Sequence, residues 1–150
     1  MNRVSFMEKT IEILLVEDNA ADVELARQGL MECDVSCNLS VARTGEQALA
    51  LLRREGNCAN APRPDLILLD LNLPGISGRD VLAAIKNDDK TCDIPVIILT
   101  NSDADKDIRE TYRLYVNSYI QKPVDFDQFV EIARGISNYW FTLVRLPPRD

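Results

Sequence analysis

Asp65-Leu66-Ile67-Leu68-Leu69-Asp70-Leu71-Asn72-Leu73-Pro74-Gly75-Ile76-Ser77-Gly78 is the stretch on which the reading of this chain turns. It begins as an unbroken apolar run, too short for a helix and bracketed by Pro64 and Pro74. Such a run reads as a strand buried on both faces, as in a parallel sheet. It ends on a carboxylate, Asp70. A bare Asp at the end of a buried strand is costly unless water, a cation or a hydrogen-bonding partner meets it. In open α/β sheets, ligands bind outside the carboxyl ends of the strands. Asp70 therefore stands where a reacting group would, and Pro74-Gly75 turns the chain away from it. Taken alone, Asp70 could equally be a cap for the next helix.

Four more apolar strands flank this one in sequence. Ile11-Glu12-Ile13-Leu14-Leu15-Val16 runs into Glu17-Asp18-Asn19, a second acidic strand end. Asn19 or Asp18 can cap a helix from about Ala21 to Met31, with Val23, Leu25, Ala26 and Leu30 inward. Asn38 to Ala42 is a short second strand. Thr44 caps a second helix with Ala48, Leu49, Leu51 and Leu52 as its buried stripe. A polar loop holding Gly56, Pro62 and Pro64 spans Glu55 to Pro64. After the central strand, Ser77 or Gly78 opens a third helix through Val81, Leu82 and Ile85. Pro95 to Thr100 is a fourth strand ending in a hydroxyl, and Asp103 or Asp105 starts a fourth helix to about Tyr115. Ser118 to Gln121 is a fifth strand ending at Lys122-Pro123. Asp125 caps a fifth helix whose apolar residues Phe126, Phe129, Val130, Ala133, Ile136 and Trp140 recur at helical spacing.

Strands alternating with helices imply a parallel sheet covered on both faces. The fold class expected is α/β, a doubly wound five-stranded parallel sheet of flavodoxin-like order 2-1-3-4-5. Its switch point lies between the first and third strands, which end in Glu17-Asp18 and in Asp70. The fourth and fifth bring Thr100 and Lys122 to the same edge. One domain over 1–150 is expected, with its core at about 11–141 and a tail at 142–150.

Composition narrows the chemistry. The 150 residues carry a net charge of -7, which argues against nucleic-acid binding and against docking on an anionic membrane. There is no histidine, so a Ser-His-Asp or Cys-His apparatus is excluded. Cys33, Cys37, Cys58 and Cys92 form no C-x-x-C pair and read as reduced thiols. No secretion signal or membrane span is visible, so a cytoplasmic protein is expected.

Singly, Asp18 could be a cap, Thr100 a strand-end hydroxyl and Lys122 a solvated charge. Together at one sheet edge they suit a shared site. Clustered carboxylates repel, and a hard divalent cation relieves this; Mg2+ takes oxygen ligands and one or two carboxylates. Asp18 and Asp70 are the direct ligands expected, with the Asn72 backbone carbonyl as a third and Glu17 acting through water. The set lacks a general base for ordinary hydrolysis. It suits a carboxylate nucleophile that accepts a phosphoryl group, with Lys122 and Thr100 on its oxygens.

Glu17-Asp18, Asp70-Leu71-Asn72-Leu73-Pro74-Gly75, Thr100 and Lys122-Pro123 resemble the receiver domain of two-component response regulators, across about residues 11 to 141. The resemblance implies that Asp70 takes a phosphoryl group from a phosphohistidine on a sensor kinase. It implies that Thr100 and Tyr119 are a switch pair acting on the face made by helix 4, strand 5 and helix 5. It also implies a cis Lys122–Pro123 bond and no enzymatic turnover beyond self-phosphotransfer and autodephosphorylation. The residues left after the fifth helix are too few for a DNA-binding module, so a stand-alone receiver is expected. Thr111 to Asp125 and Tyr139 to Pro147 look more narrowly like the regulators paired with bacterial, especially cyanobacterial, phytochrome kinases. Asn101, after the switch threonine, departs from the small residue usual in the family.

The strongest rival is an aspartate-based phosphohydrolase of the haloacid dehalogenase type. That family carries a second Asp two residues after its nucleophile, where this chain has Asn72. A cofactor-binding flavodoxin is opposed by the acidic loop after the first strand, since a phosphate loop uses glycine and exposed N–H groups. The apolar tail suggests a homodimer on helix 4, strand 5 and helix 5, through Tyr112, Tyr115, Trp140, Phe141, Leu143, Val144 and Leu146. Folding of the tail over its own domain is the alternative.

Overall fold

Leu66–Leu69 forms β3, with every side chain buried, as its unbroken apolar run implies. The computed structural model describes residues 10–33, 35–122, 125–143 and 145–148, and 141–143 by backbone alone. β1 (Ile11–Val16) and β4 (Val96–Thr100) flank β3 in parallel. β2 (Cys37–Ala42) lies beyond β1, and β5 (Ser118–Gln121) beyond β4. The sheet order is β2-β1-β3-β4-β5, as expected. Val16 stands opposite Leu69, and Leu69 opposite Ile98, so the acidic ends of β1 and β3 emerge side by side.

The helices are α1 (Ala20–Met31), α2 (Gly45–Arg53), α3 (Gly78–Lys86), α4 (Asp105–Arg113) and α5 (Phe126–Ile136). Alternation along the strands assigns them to layers. Leu14, Val16, Ile67, Leu69, Val96 and Ile98 pack with Ala48 of α2 and with Val81, Leu82 and Ile85 of α3. Ile13, Leu15, Leu66, Leu68, Ile97 and Leu99 pack with Val23, Ala26 and Leu30 of α1 and Phe129, Ala133 and Ile136 of α5. The double-sided burial of the central strands follows from this arrangement. Asp65, at the other end of β3, is buried with its carboxylate accepting the Glu12 N–H at 2.9 Å.

Four helices start on caps the sequence predicts. Asn19, Thr44, Ser77 and Asp125 accept from the backbone N–H of Asp22, Gln47, Asp80 and Gln128 at 2.9–3.2 Å. α4 differs. Its capping position is Ala104, not an aspartate, and no side chain caps it there. It also stops at Arg113. Val116 N–H bonds to the Thr111 carbonyl at 3.1 Å and Tyr115 N–H to that of Tyr112 at 3.0 Å, a Schellman closure. That closure puts Tyr115 in the left-handed region at φ 67°, a position that favours glycine.

The C-terminal end departs further from expectation. Phe126 is 38% exposed because it is the first residue of α5, ahead of the turn that reaches the core. After Ile136 the helix widens into π turns over Ser137–Leu143, just beyond Gly135, a weak helix former. Trp140 and Leu146 lie partly buried against the α1–α5 side of the core, and the Tyr139 ring stands edge-on to Trp140 at 5.4 Å. Val144, the side chains of Phe141 and Leu143, and the expected cis Lys122–Pro123 bond lie outside the described residues.

Gly78 fixes where α3 begins. Its N–H bonds to the Leu71 carbonyl at 3.0 Å. A Cβ there would meet the Asp70 carbonyl oxygen and would come within 2.5 Å of the Leu71 Cα. Both are backbone atoms that cannot rotate away. Gly78→Ala is expected to cost about 3 kcal/mol. Urea denaturation would measure it, and a loss under ~0.5 kcal/mol would contradict the packing.

Candidate functional site

The acidic cluster forms where β1 and β3 end at the switch point. Glu17, Asp18 and Asp70 each offer a carboxylate oxygen, and these oxygens all lie within 4.8 Å of one another. Glu17 and Asp70 are buried, and Asp18 is exposed. Backbone bonds lock their positions: Glu17 N–H to the Ala42 carbonyl at 2.9 Å and Asp70 N–H to that of Val16 at 3.0 Å. The Asp70 carboxylate accepts from the Asn72 N–H at 3.0 Å, while the Glu17 carboxylate accepts from the Asn19 N–H at 3.1 Å.

Lys122 enters from the end of β5, held by its own N–H on the Thr100 carbonyl at 2.7 Å. Its buried ammonium pairs with Glu17, with Asp22 at 2.7 Å and with Asp70 at 3.0 Å. An ammonium has three protons, so this one is fully committed to carboxylates. Among the described residues Asp18 carries no ion pair, which leaves its oxygens and the remaining lone pairs of Glu17 and Asp70 facing a common point. Hard carboxylate oxygens at that spacing fit a small divalent cation.

Burial, reinforced by the Asp70 charge and resisted by Lys122, pushes the Glu17 carboxyl up to about 7. Burial pulls the Lys122 ammonium down, but its bonds to Asp22, Glu17 and Asp70 outweigh that and hold it above its ordinary value. The site thus keeps a permanent positive charge at the bottom and a strained surplus of negative charge above it.

Thr100 is fully buried at the end of β4, with the Asn72 side-chain amide 3.5 Å from its hydroxyl. Tyr119 points inward. Its ring packs on the α2–α3 side of the core, and its hydroxyl donates to the Ser102 carbonyl at 2.9 Å. Burial pushes its phenol up, against the Ser102 bond, with Asp107, Asp103 and Asp70 adding to the rise.

The structure therefore gathers Glu17, Asp18, Asp70, Asn72, Thr100 and Lys122 at one edge, with Tyr119 one loop away. Tyr112 and Tyr115 are elsewhere, exposed at and just beyond the end of α4. Asp22 was not expected. Asp18 precedes the helix and Asp22 lies in the first turn of α1, so no local spacing marks Asp22; its place in the cluster comes from Lys122, 2.7 Å away. Asn72 has an amide where a haloacid dehalogenase-type hydrolase would need its second acid, so that rival finds no support.

The comparisons with known proteins agree with this geometry. The chain is 42% identical over 135 residues to the response regulator Rcp1 of Synechocystis sp., spanning 90% of this chain and 92% of that protein. It superposes on the phosphorylated cyanobacterial phytochrome response regulator RcpA with a TM-score of 0.89 and 45% identity, over 93% of this chain and 99% of that one. It superposes on the Mn2+-bound form of Rcp1 with a TM-score of 0.87 and 40% identity, over 92% and 99%. Residues 13–134 match the family described as the response regulator receiver domain, and this chain belongs to that family.

Proposed function

We propose that Asp70 is the phosphoacceptor of a two-component phosphorelay, charged by a sensor histidine kinase of the phytochrome type. The observation that carries this is the convergence of Glu17, Asp18 and Asp70 on Lys122 at the sheet's switch point. In the transfer, an Asp70 oxygen forms a bond to phosphorus as the phosphorus–nitrogen bond to the kinase imidazole breaks. The imidazole leaves with that electron pair. Lys122 holds positive charge beside the oxygens of the moving phosphoryl group, and the Thr100 hydroxyl is the donor for one of them. Asp18, Asp70, the Asn72 carbonyl and, through water, Glu17 would hold a Mg2+ ion, which would supply further neutralisation of those oxygens. The Asn72 N–H keeps the carboxylate oriented. Tyr119, already turned in, is the group through which Thr100 reports to the α4–β5–α5 face. The test is a panel of phosphorylated kinases offered to the full chain; transfer should be fastest from phytochrome-type kinases, and equal rates from all would refute the pairing.

The cation should compete with the Glu17 proton. Since that carboxyl ionises only near pH 7 without a cation, Mg2+ affinity should rise with pH from about 5 to 8, with a fraction of a proton released per ion. Calorimetry in buffers of different ionisation heat would read this. Asp18→Ala should weaken binding more than Glu17→Ala, and a pH-independent affinity would reject Glu17 as part of the site.

The chain is also proposed to be cytoplasmic and to form a homodimer through the α4–β5–α5 face. No helix among the described residues is long and apolar enough to cross a membrane. Tyr115 supports the dimer: it is 77% exposed yet sits in the strained left-handed conformation, where glycine would do better. Tyr112, beside it, is 49% exposed. Trp140 and Leu146 lean on their own domain, so they serve the interface only by their outer edges. Tyr115→Gly should raise stability by about 1 kcal/mol through relief of the left-handed strain while weakening the dimer. Urea denaturation and light scattering measure the two effects. A monomer at every accessible concentration would remove the interface.

A further inference from the structure

α4 is anchored unlike the other helices. It buries only Thr111, and no side chain caps its first turn. A helix with so little apolar burial belongs to the easily displaced parts of a fold. What fixes it is polar. Asp107, in its first turn, accepts the Ser102 hydroxyl at 2.6 Å on one oxygen and the Arg79 guanidinium at 2.7 Å on the other. Arg79 also reaches Glu110 at 3.0 Å, one turn further along α4. The Ser102 hydroxyl in turn accepts the Ala104 N–H at 3.3 Å, standing in for the missing cap. The carbonyl of that same Ser102 takes the Tyr119 hydroxyl.

The other end of this chain of contacts is just as firmly placed. Arg79 follows Gly78, whose backbone is pressed against Asp70 and Leu71 too closely for any side chain. Contacts therefore run without a gap from the Asp70 backbone through α3 to Arg79, across to Asp107, and through Ser102 to the Tyr119 ring. Each link is a direct contact between rigid segments, and Asp107 joins three of them.

We propose that Asp107 is a positioning residue for the switch: by holding Ser102 and α4 to Arg79 of α3, it sets the carbonyl that keeps Tyr119 turned inward. This rests on the receiver reading above for its consequence, though not for its geometry. The inward ring is the arrangement expected with Thr100 drawn to phosphate. Holding it in advance should raise affinity for a phosphoryl group, because a ligand binds more tightly when its competent state is already populated.

The test uses the full chain labelled with 3-fluorotyrosine, the Tyr119 resonance being assigned by its loss in Tyr119→Phe. In the unphosphorylated protein, Asp107→Ala and Arg79→Gln should shift the Tyr119 signal toward an exposed ring and leave Tyr139 unmoved. Asp107→Asn, which still offers Ser102 an oxygen, should fall between. Beryllofluoride with Mg2+, as a phosphoryl mimic, should then bind Asp107→Ala about fivefold more weakly, the low end of ordinary coupling between sites. Folding is checked by urea denaturation, and Arg79→Gln serves if Asp107→Ala is unstable. A wild-type Tyr119 signal in both variants overturns the proposal, as does unchanged beryllofluoride affinity. Were the wild type itself to take no beryllofluoride, the receiver reading would fail, while the fluorine spectra would still decide the role of Asp107.

Discussion

Asp70→Asn is expected to abolish uptake of acid-labile, hydroxylamine-sensitive phosphate from a kinase and to leave the fold intact. The amide cannot attack phosphorus, but it keeps the shape of the carboxylate. It retains an oxygen for the Lys122 ammonium, now 3.0 Å away, or for the Asn72 N–H. Stability should not drop, because one of three crowded carboxylates has lost its charge. Asp70 is a cause of the raised Glu17 value, so Glu17 should ionise more easily in the variant. Two measurements on one protein therefore separate the outcomes. Phosphotransfer should fall to background, while the urea midpoint should stay within about 0.5 kcal/mol of the wild type or rise. Residual phosphorylation would mean a different acceptor. A large loss of stability would mean that the ionised Asp70, through its pair with Lys122, is structural first.

Much of this is legible in the sequence. Parallel strands buried on both faces leave an apolar signature without alternation, so β1, β3 and β4 declared themselves, and their carboxyl ends marked Asp18, Asp70 and Thr100. Caps were legible at Asn19, Thr44, Ser77 and Asp125, where a side-chain oxygen precedes an amphipathic run. The existence and start of α4 are legible too, but what anchors it is not. Asp105 does open the helix, but its capping position is Ala104, whose N–H is met by the Ser102 hydroxyl, and its first turn is tied to Arg79 through Asp107. No local pattern encodes a partner 28 residues away. Asp22 was missed because its purpose comes from Lys122, exactly 100 residues on in sequence. The end of α5 was misread because apolar spacing alone does not distinguish an α from a π turn.

Lys122→Met should be the most destabilising change at the site. The methionine fills the apolar stem but leaves Glu17 and Asp70, both almost wholly buried, facing each other and Asp22 without a counter-charge. Removing one partner of a buried ion pair typically costs about 3–5 kcal/mol. The loss should depend on pH in a definite direction. In the wild type, Lys122 ionises above its unfolded value of 10.5, so its stabilisation is fully present below that value and disappears only as pH rises through the folded one. Glu17 runs the other way: its folded value of about 7 exceeds the ordinary 4.5. The folded state therefore keeps a proton that the unfolded chain has released, and stability falls as pH rises between those values. Without Lys122 this window should widen upward and deepen, since the cation opposing the rise is gone. The variant should come nearest the wild type at about pH 4.5, where Glu17 keeps its proton in the folded state, and fall furthest behind above pH 7. Millimolar Mg2+ should recover part of the deficit at neutral pH by binding only the folded cluster. Urea denaturation across that pH range, with and without Mg2+, tests this directly. A deficit that is the same at every pH would show that Lys122 stabilises by packing alone and that the three carboxylates are not held together by its charge.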